Sequence, residues 1–99
     1  MSLQLRWTEQ AVDQLGAIAD YLGQTSPVYA EGLVTRVAAQ LQRLLQFPEI
    51  GRVVQEAESP HVREVIEWPY RIIYRARMET IEVIAVVHVR RDLRSIPLK

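Results

Sequence analysis

Cysteine is absent from this chain of 99 residues, which excludes disulfide bonds and thiolate metal sites. Long apolar runs are also absent. The longest uninterrupted one, from Val83 to Val87, is far short of the roughly 20 residues that a membrane-spanning helix needs. The opening residues, MSLQLRW, lack the apolar stretch of a secretory signal. We therefore expect a soluble, cytoplasmic protein that makes no membrane contact.

Repeats and low-complexity tracts are missing as well, and no second domain is apparent. A chain of this length is typical of one domain and can bury roughly two-thirds of its unfolded surface. We expect residues 1–99 to fold as a single domain with a modest core.

Lysine is almost missing, because eleven of the twelve basic residues are arginine and Lys99 is the exception. A guanidinium stays charged at any working pH, so it suits anion binding better than proton transfer. Residues 1–60 hold four basic side chains against seven acidic ones, and residues 61–99 hold eight against five. The overall charge of zero and the pI near 6.7 argue against direct nucleic-acid binding, which depends on neutralising phosphates.

Two helices are predicted in the first half, after a short strand at residues 3–7. Thr8 is placed to cap the first helix, which ends near Gly23. Ser26 is placed to cap the second, Pro27 fits its first position, and Pro48 ends it. The short connection predicts an antiparallel helical hairpin. The apolar stripes are Ala11, Leu15, Ile18 and Leu22, and then Ala30, Leu33, Val34, Val37, Leu41, Leu44 and Leu45.

Three extended runs are predicted in the second half, at about 61–67, 70–77 and 80–89. The preceding stretch, 47–60, is rich in turn formers and acids and is predicted to be a loop, with Gly51 available for a positive φ. The runs should form an antiparallel meander with the middle strand at its centre and the hairpin over one face. The fold class is therefore α+β.

The middle run alternates between two kinds of side chain. Side chains of a strand alternate between its two faces, because a strand has a period of two. One face would carry Ile72, Tyr74 and Ala76 and lie against a core. The opposite face would carry Arg71, Ile73, Arg75 and Arg77. These arginines could pair with Glu64, Glu67 and Glu82 on neighbouring strands. For the set as a whole we favour a function, because unpaired like charges repel until an anionic partner arrives.

Catalytic and metal-binding motifs are scarce. His61 and His88 lack Asp or Cys partners at ligand spacing, so we expect no metal. The glycines form no phosphate-cradling loop, and we expect no cofactor. His88, near the end of the last predicted strand, is the one side chain with a pKa suited to general base catalysis, although a scaffold role is the simpler interpretation.

The chain resembles toxins of the RelE/ParE superfamily, and most closely its ParE branch, which includes plasmid stabilization proteins. The resemblance spans nearly the whole chain. It rests on Trp7, Ala11, Leu15, Ile18, Asp20-Tyr21, Ser26-Pro27, Ala30, Pro48, Gly51-Arg52, Arg63-Glu64, the stretch PYRIIYR, His88 and Arg91. It implies a bacterial toxin of a type II toxin–antitoxin system, built as a strand, a helical hairpin and a three-stranded antiparallel meander.

Two activities occur in this superfamily. RelE-type members are ribosome-dependent messenger-RNA endonucleases, and a surviving endonuclease site would consist of Arg71, His88 and Arg91. The two lysine positions of that branch align with Val62 and Glu64, and its late tyrosine aligns near Pro97. A guanidinium is a poor general base, so the expected base and acid are both missing here.

ParE-type members inhibit DNA gyrase by binding it, which requires no chemistry. We therefore expect a gyrase inhibitor and not an enzyme. The endonuclease is the alternative, and an inactive or purely partner-binding relative is the third.

The resemblance also implies a partner, a ParD-like antitoxin. Its disordered tail would fold onto the toxin, with apolar residues in a groove and carboxylates on the sheet. The predicted antitoxin-binding residues are Arg63, Arg71, Arg75 and Arg77.

Overall fold

The helices and strands of the computed structural model, which describes residues 3–98, follow the predicted order with two additions. The elements are β1 (Gln4–Trp7), α1 (Glu9–Gly23), α2 (Pro27–Gln46), β2 (Arg52–Val53), β3 (Val62–Glu67), β4 (Tyr70–Ala76), β5 (Thr80–His88) and a 3₁₀ turn (Leu93–Ser95). Strand β2 and the 3₁₀ turn were not predicted.

Both predicted helix caps are confirmed. The Thr8 hydroxyl accepts a hydrogen bond from the backbone N–H of Ala11, and the Ser26 hydroxyl accepts one from Tyr29. These bonds satisfy N–H groups that have no partner within the helix. Helix α2 ends at Gln46, two residues before Pro48. Neither helix is both long and apolar enough to cross a membrane.

The sheet has five strands in the order β1-β5-β4-β3-β2. Strands β3, β4 and β5 form the predicted antiparallel meander with β4 at its centre, and β1 lies parallel to β5. A cis peptide bond joins Trp68 to Pro69 in the turn between β3 and β4. The α+β class is confirmed, and the meander is the middle of a larger sheet.

One face of the sheet packs against the helical hairpin. Leu33, Val37, Leu41 and Tyr74 are fully buried there, and Leu15 is partly buried. Val34 does not belong to this core, because 40% of it is exposed. The predicted stripe of α2 was therefore one residue too wide.

The other face carries a second core that was not predicted. On this face of the sheet the loop after β2 and the C-terminal segment pack over the strands. The loop contributes Val54 and Ala57, and the C-terminal segment contributes Leu93, Ile96 and Leu98. The strand residues they cover are Val62, Ile73, Ile84, Ala85 and Val87. A bulge shifts the alternation of β5 between the two faces at Ile84 and Ala85. Ile73 pairs with Ala85 while Tyr74 pairs with Val83, so Ile84 is an extra residue on β5.

The backbone at Gly51, in the loop after α2, packs tightly against the Tyr74 side chain. Its φ is not positive, so the predicted reason for this glycine is wrong. A Cβ atom there would lie 2.5 Å from the Tyr74 hydroxyl and 2.6 Å from the Glu64 carbonyl oxygen. The Tyr74 hydroxyl accepts from the Gly51 N–H at 3.1 Å and donates to the Pro48 carbonyl at 2.8 Å. Lack of a side chain, and not a turn conformation, is what this position requires.

Candidate functional site

The arginines of the predicted row have different surroundings, and Arg71 is the most enclosed. It is only 8% exposed, and Glu64 beside it is 4% exposed. The Arg71 Nε donates to Glu64, while its two terminal nitrogens donate to the carboxylate of Glu56 at 3.1 and 3.2 Å. Arg52 donates to the second oxygen of Glu64 at 2.9 Å. Two arginines and two glutamates thus form one neutral network.

The network changes the acidity of its members. Hydrogen bonds from Arg71 hold the pKa of Glu56 below its usual value, and those to Glu56 raise the pKa of Arg71 further. The network lines a cleft of about 300 Å³ on the face opposite the helices. Arg71 is therefore charged but already neutralised within the protein. For Arg71 the pairing with Glu64 that was considered from the sequence is present.

The Glu64 partner was among the pairs considered from the sequence, but Glu56 was not. Glu56 lies in the loop after β2, 15 positions before Arg71. The concentration of acids in that loop was the available signal, and sequence spacing does not show which arginine they meet.

Arg63 and Arg75 are half-buried and bond to backbone carbonyls. Arg63 donates to Gly51 at 2.8 Å and to Glu49 at 3.4 Å, and Arg75 donates to Leu98 at 3.2 Å. No carboxylate among residues 3–98 forms an ion pair with either arginine. The Nε of Arg75 is buried and has no hydrogen-bond acceptor within the described chain.

Arg77 follows β4 and is exposed, with its terminal nitrogen 3.7 Å from Glu82. This pair matches the alternative considered from the sequence, in which arginines of the row pair with glutamates on neighbouring strands. Exposed pairs of this kind contribute about 0–1 kcal/mol, so Arg77 remains free to contact another anion.

Three of the four arginines predicted to bind the antitoxin line one recess, which we call the arginine recess. Arg63, Arg75 and Arg77 contribute to it, and its volume is about 450 Å³. Pro48, Glu49, Pro60, His61, Ala76 and Met78 complete its lining. It lies where β3 begins and β4 ends, so side chains from both faces of the sheet reach it. Arg71 lies on the separate cleft described above.

Of the three residues of the conditional endonuclease site, His88 and Arg71 lie on opposite faces of the sheet, and the Arg91 N–H donates to the His88 carbonyl at 2.9 Å. His88 pairs with Tyr70 across the strands, and their rings meet edge to face with centroids 5.8 Å apart. Neighbouring strand residues point to opposite faces, so His88 shares the face of Tyr70 and not that of Arg71. The His88 Nδ1 accepts from the Arg90 N–H at 3.1 Å. Arg91 is exposed beyond the end of β5.

The remaining endonuclease positions are occupied by residues that serve the scaffold. Val62, at one lysine position, is completely buried in the second core, and Glu64, at the other, belongs to the charge network. The Pro97 carbonyl accepts a hydrogen bond from Gln10 at 3.0 Å. Between residues 3 and 98, no three His, Asp or Glu side chains are clustered so as to hold a metal ion.

Known proteins are similar to this chain over most of its length. Residues 5–93 match the family described as the ParE toxin of type II toxin-antitoxin system, parDE. Toxin RelE2 of Caulobacter vibrioides is 33% identical over 89 residues, which cover 89% of this chain and 97% of that protein. The Y4kP protein of Sinorhizobium fredii is 28% identical over 91 residues, covering 90% and 91%.

A solved structure of the chromosomal ParDE system from P. aeruginosa has a chain that is 27% identical. It superposes with a TM-score of 0.68, covering 87% of this chain and 95% of that one. The match to the family model extends from β1 to the 3₁₀ turn and so includes both helices and the whole sheet. The chain belongs to the ParE family of type II toxin–antitoxin toxins.

Proposed function

We propose that this toxin acts by binding its target without catalysing a reaction, and that the target is DNA gyrase. The observation that carries the first part is the state of Arg71. Arg71 and Arg91 are the two arginines that align with the endonuclease branch, and two carboxylates already neutralise Arg71.

Cleavage of a phosphodiester needs a positive charge near the phosphate and groups that transfer protons. Arg71 offers no net charge to a phosphate, because Glu64 and Glu56 would repel it. His88 could transfer a proton, but it projects from the other face of the sheet. Arg71 and His88 are therefore on opposite faces of the sheet, which favours a binding mechanism.

Gyrase as the target rests on the likeness to ParE toxins. Binding a large protein needs an exposed surface with apolar and aromatic side chains. This chain has several such residues, among them Tyr21, Tyr29 and Trp68. An antitoxin partner follows from membership of the family.

The test uses the purified toxin in two assays. A supercoiling assay with purified gyrase should show inhibition that increases with toxin concentration. A translation reaction with ribosomes and a defined message, followed by primer extension, should show no new cleavage sites. Cleavage within the message, without inhibition of gyrase, would overturn the proposal and support the endonuclease. Inactivity in both assays would support the inactive relative.

A further inference from the structure

The cleft around Arg71 is lined by charged side chains that differ in how firmly they are held. The charged residues among its lining are Arg52, Glu56, Glu64 and Arg71. The side chains of Glu64 and Arg71 are only 4% and 10% exposed, whereas those of Glu56 and Arg52 are 46% and 72% exposed. The cleft therefore has a buried charged floor and two charged groups at its mouth that reach solvent.

Glu64 belongs to the floor and is held there on every side. One of its carboxylate oxygens accepts from the Arg71 Nε and the other from the Arg52 Nε. Its backbone lies in β3, between β2 and β4. Separating a buried carboxylate from its partners is strongly destabilising, so Glu64 stays with Arg71.

Glu56 is held less firmly, because Arg71 is the one side chain within residues 3–98 that donates to its carboxylate. The turn that carries Glu56 is fixed on both sides. Val54 is completely buried, Ala57 packs against the second core, and the Ala57 N–H donates to the Val54 carbonyl at 3.3 Å. The Glu56 side chain can therefore rotate into solvent while its backbone remains in place.

The position of the Glu56 carboxylate has the contacts of an oxyanion site. Both terminal nitrogens of Arg71 donate to it, at 3.1 and 3.2 Å, which is the paired geometry that a guanidinium offers to carboxylates and phosphates. Hydrogen bonds from Arg71, together with the charges of Arg71 and Arg52, hold the pKa of Glu56 below its usual value. Without the Glu56 charge, two arginines would face Glu64 alone, and the cleft would carry a surplus positive charge.

We propose that Glu56 is the internal occupant of an oxyanion site at Arg71 and Arg52, and that it closes this site to phosphate groups from outside. A cleft of about 300 Å³ accommodates a phosphate group. A carboxylate on the same chain has a high effective concentration, so a free anion competes poorly with it. The contact is therefore autoinhibitory. The proposal rests on the same neutralised Arg71 as the proposed function, but it does not depend on gyrase being the target.

The experiment measures the binding of inorganic phosphate to wild type, Glu56→Ala and Glu58→Ala by calorimetry and by the change in Tm, at constant ionic strength. Glu58→Ala is the matched control, because Glu58 is an exposed acid of the same loop that forms no ion pair within residues 3–98. Glu56→Ala should bind phosphate about tenfold more tightly than wild type or better, and phosphate should raise its Tm. Glu58→Ala should behave as wild type.

Equal affinities of wild type and Glu56→Ala for phosphate would overturn the proposal. An equal gain in Glu56→Ala and Glu58→Ala would show a general charge effect and contradict it. Glu56→Gln removes the charge and keeps the shape of the side chain, so it should also bind phosphate more tightly than wild type. This variant carries the test if thermal unfolding shows that Glu56→Ala is not folded.

A second substitution locates the bound phosphate. Arg52→Gln added to Glu56→Ala should weaken phosphate binding about threefold, because Arg52 is an exposed cation at the mouth of the cleft. Arg6→Gln in the same background is the control, because Arg6 is exposed in β1 at the opposite edge of the sheet from β2. Equal losses from the two substitutions would contradict binding in the cleft.

Two further measurements define the ligand and separate this proposal from the proposed function. Uridine monophosphate should bind Glu56→Ala within a few-fold of inorganic phosphate, because the site recognises the phosphate group. Binding of the nucleotide without binding of inorganic phosphate would contradict this. If wild type fails to inhibit gyrase while Glu56→Ala gains phosphate binding, the proposed function is wrong and the internal occupant is supported; inhibition of gyrase without that gain would give the reverse result.

Discussion

Replacing Gly51 by alanine adds one methyl group at the most crowded glycine of the structure. The new Cβ would lie 2.5 Å from the Tyr74 hydroxyl, 2.6 Å from the Glu64 carbonyl oxygen and 2.8 Å from Tyr74 Cε1. None of these atoms can move easily. The tyrosine is fully buried, and Glu64 lies in β3, which is hydrogen-bonded to strands on both sides.

The cost has two parts. Forcing an extra methyl into a packed site costs about 1–3 kcal/mol. Displacing the Tyr74 hydroxyl from the Gly51 N–H and the Pro48 carbonyl adds about 1 kcal/mol for the hydrogen bonds. We expect Gly51→Ala to lower the free energy of unfolding by about 3 kcal/mol, which corresponds to roughly 12–24 °C in Tm for a domain of this size.

The assay is urea denaturation followed by circular dichroism, with Gly16→Ala as the control. Gly16 lies in α1, where an added methyl group would meet no neighbour within 4 Å, so alanine there should stabilise the protein by about 0.5–1 kcal/mol. The two glycine-to-alanine changes should therefore have opposite signs. A loss below about 1 kcal/mol in Gly51→Ala would refute the reasoning, because it would mean that the loop after α2 can move away from Tyr74.

Three further predictions concern the core, the charge network and the strand-end histidine. Leu41→Ala should cost about 2–5 kcal/mol as a cavity in the helix-facing core, and a smaller loss in urea denaturation would argue against that packing. Glu56→Gln should be less stable than wild type at neutral pH, because it lacks the contribution of the ionised Glu56 carboxylate to the free energy of unfolding. Because Arg71 lowers the folded-state pKa of Glu56, that contribution is present above the unfolded pKa and disappears as the pH falls through the folded one; a stability gap that does not change with pH would contradict this. His88→Ala should leave growth inhibition within a few-fold, whereas loss of toxicity with normal folding and antitoxin binding would support the endonuclease.

The helices and the central strands could be predicted because their signals are local. Thr8 and Ser26 precede helices as caps do, and the apolar stripe of α2 has helical spacing. The alternation in β4 also predicts its two faces correctly, with Ile72 and Tyr74 toward the helices and Ile73 in the second core.

The second core and β2 could not be predicted in the same way, because their contacts join distant parts of the chain. Strand β2 has two residues, too few for alternation to be visible. The run from Val83 to Val87 has no alternation, and such a run indicates burial on both faces. That signal was present, but it does not identify Leu93 and Ile96 as the residues that cover the second face.

The same limit applies to the arginines. The row in β4 was visible from the sequence, but the state of each arginine depends on a loop or a terminal segment. Arg71 meets Glu56 from one loop, Arg63 meets the carbonyl of Gly51 from another part of the chain, and Arg75 meets Leu98. Sequence spacing predicts which face a side chain lies on, and tertiary contacts determine whether its charge is available to a partner.

The parallel pairing of β1 with β5 has a consequence for how the toxin is made. The ribosome makes Gln4–Trp7 more than 70 residues before their strand partners Thr80–Val83, and the second core also needs Leu93 and Ile96. Contacts between such distant segments form late and slowly. The five-stranded sheet and its second core therefore cannot form until residues 80–96 have been synthesised, so a chain that lacks them cannot have the toxin fold or the surfaces that this fold builds.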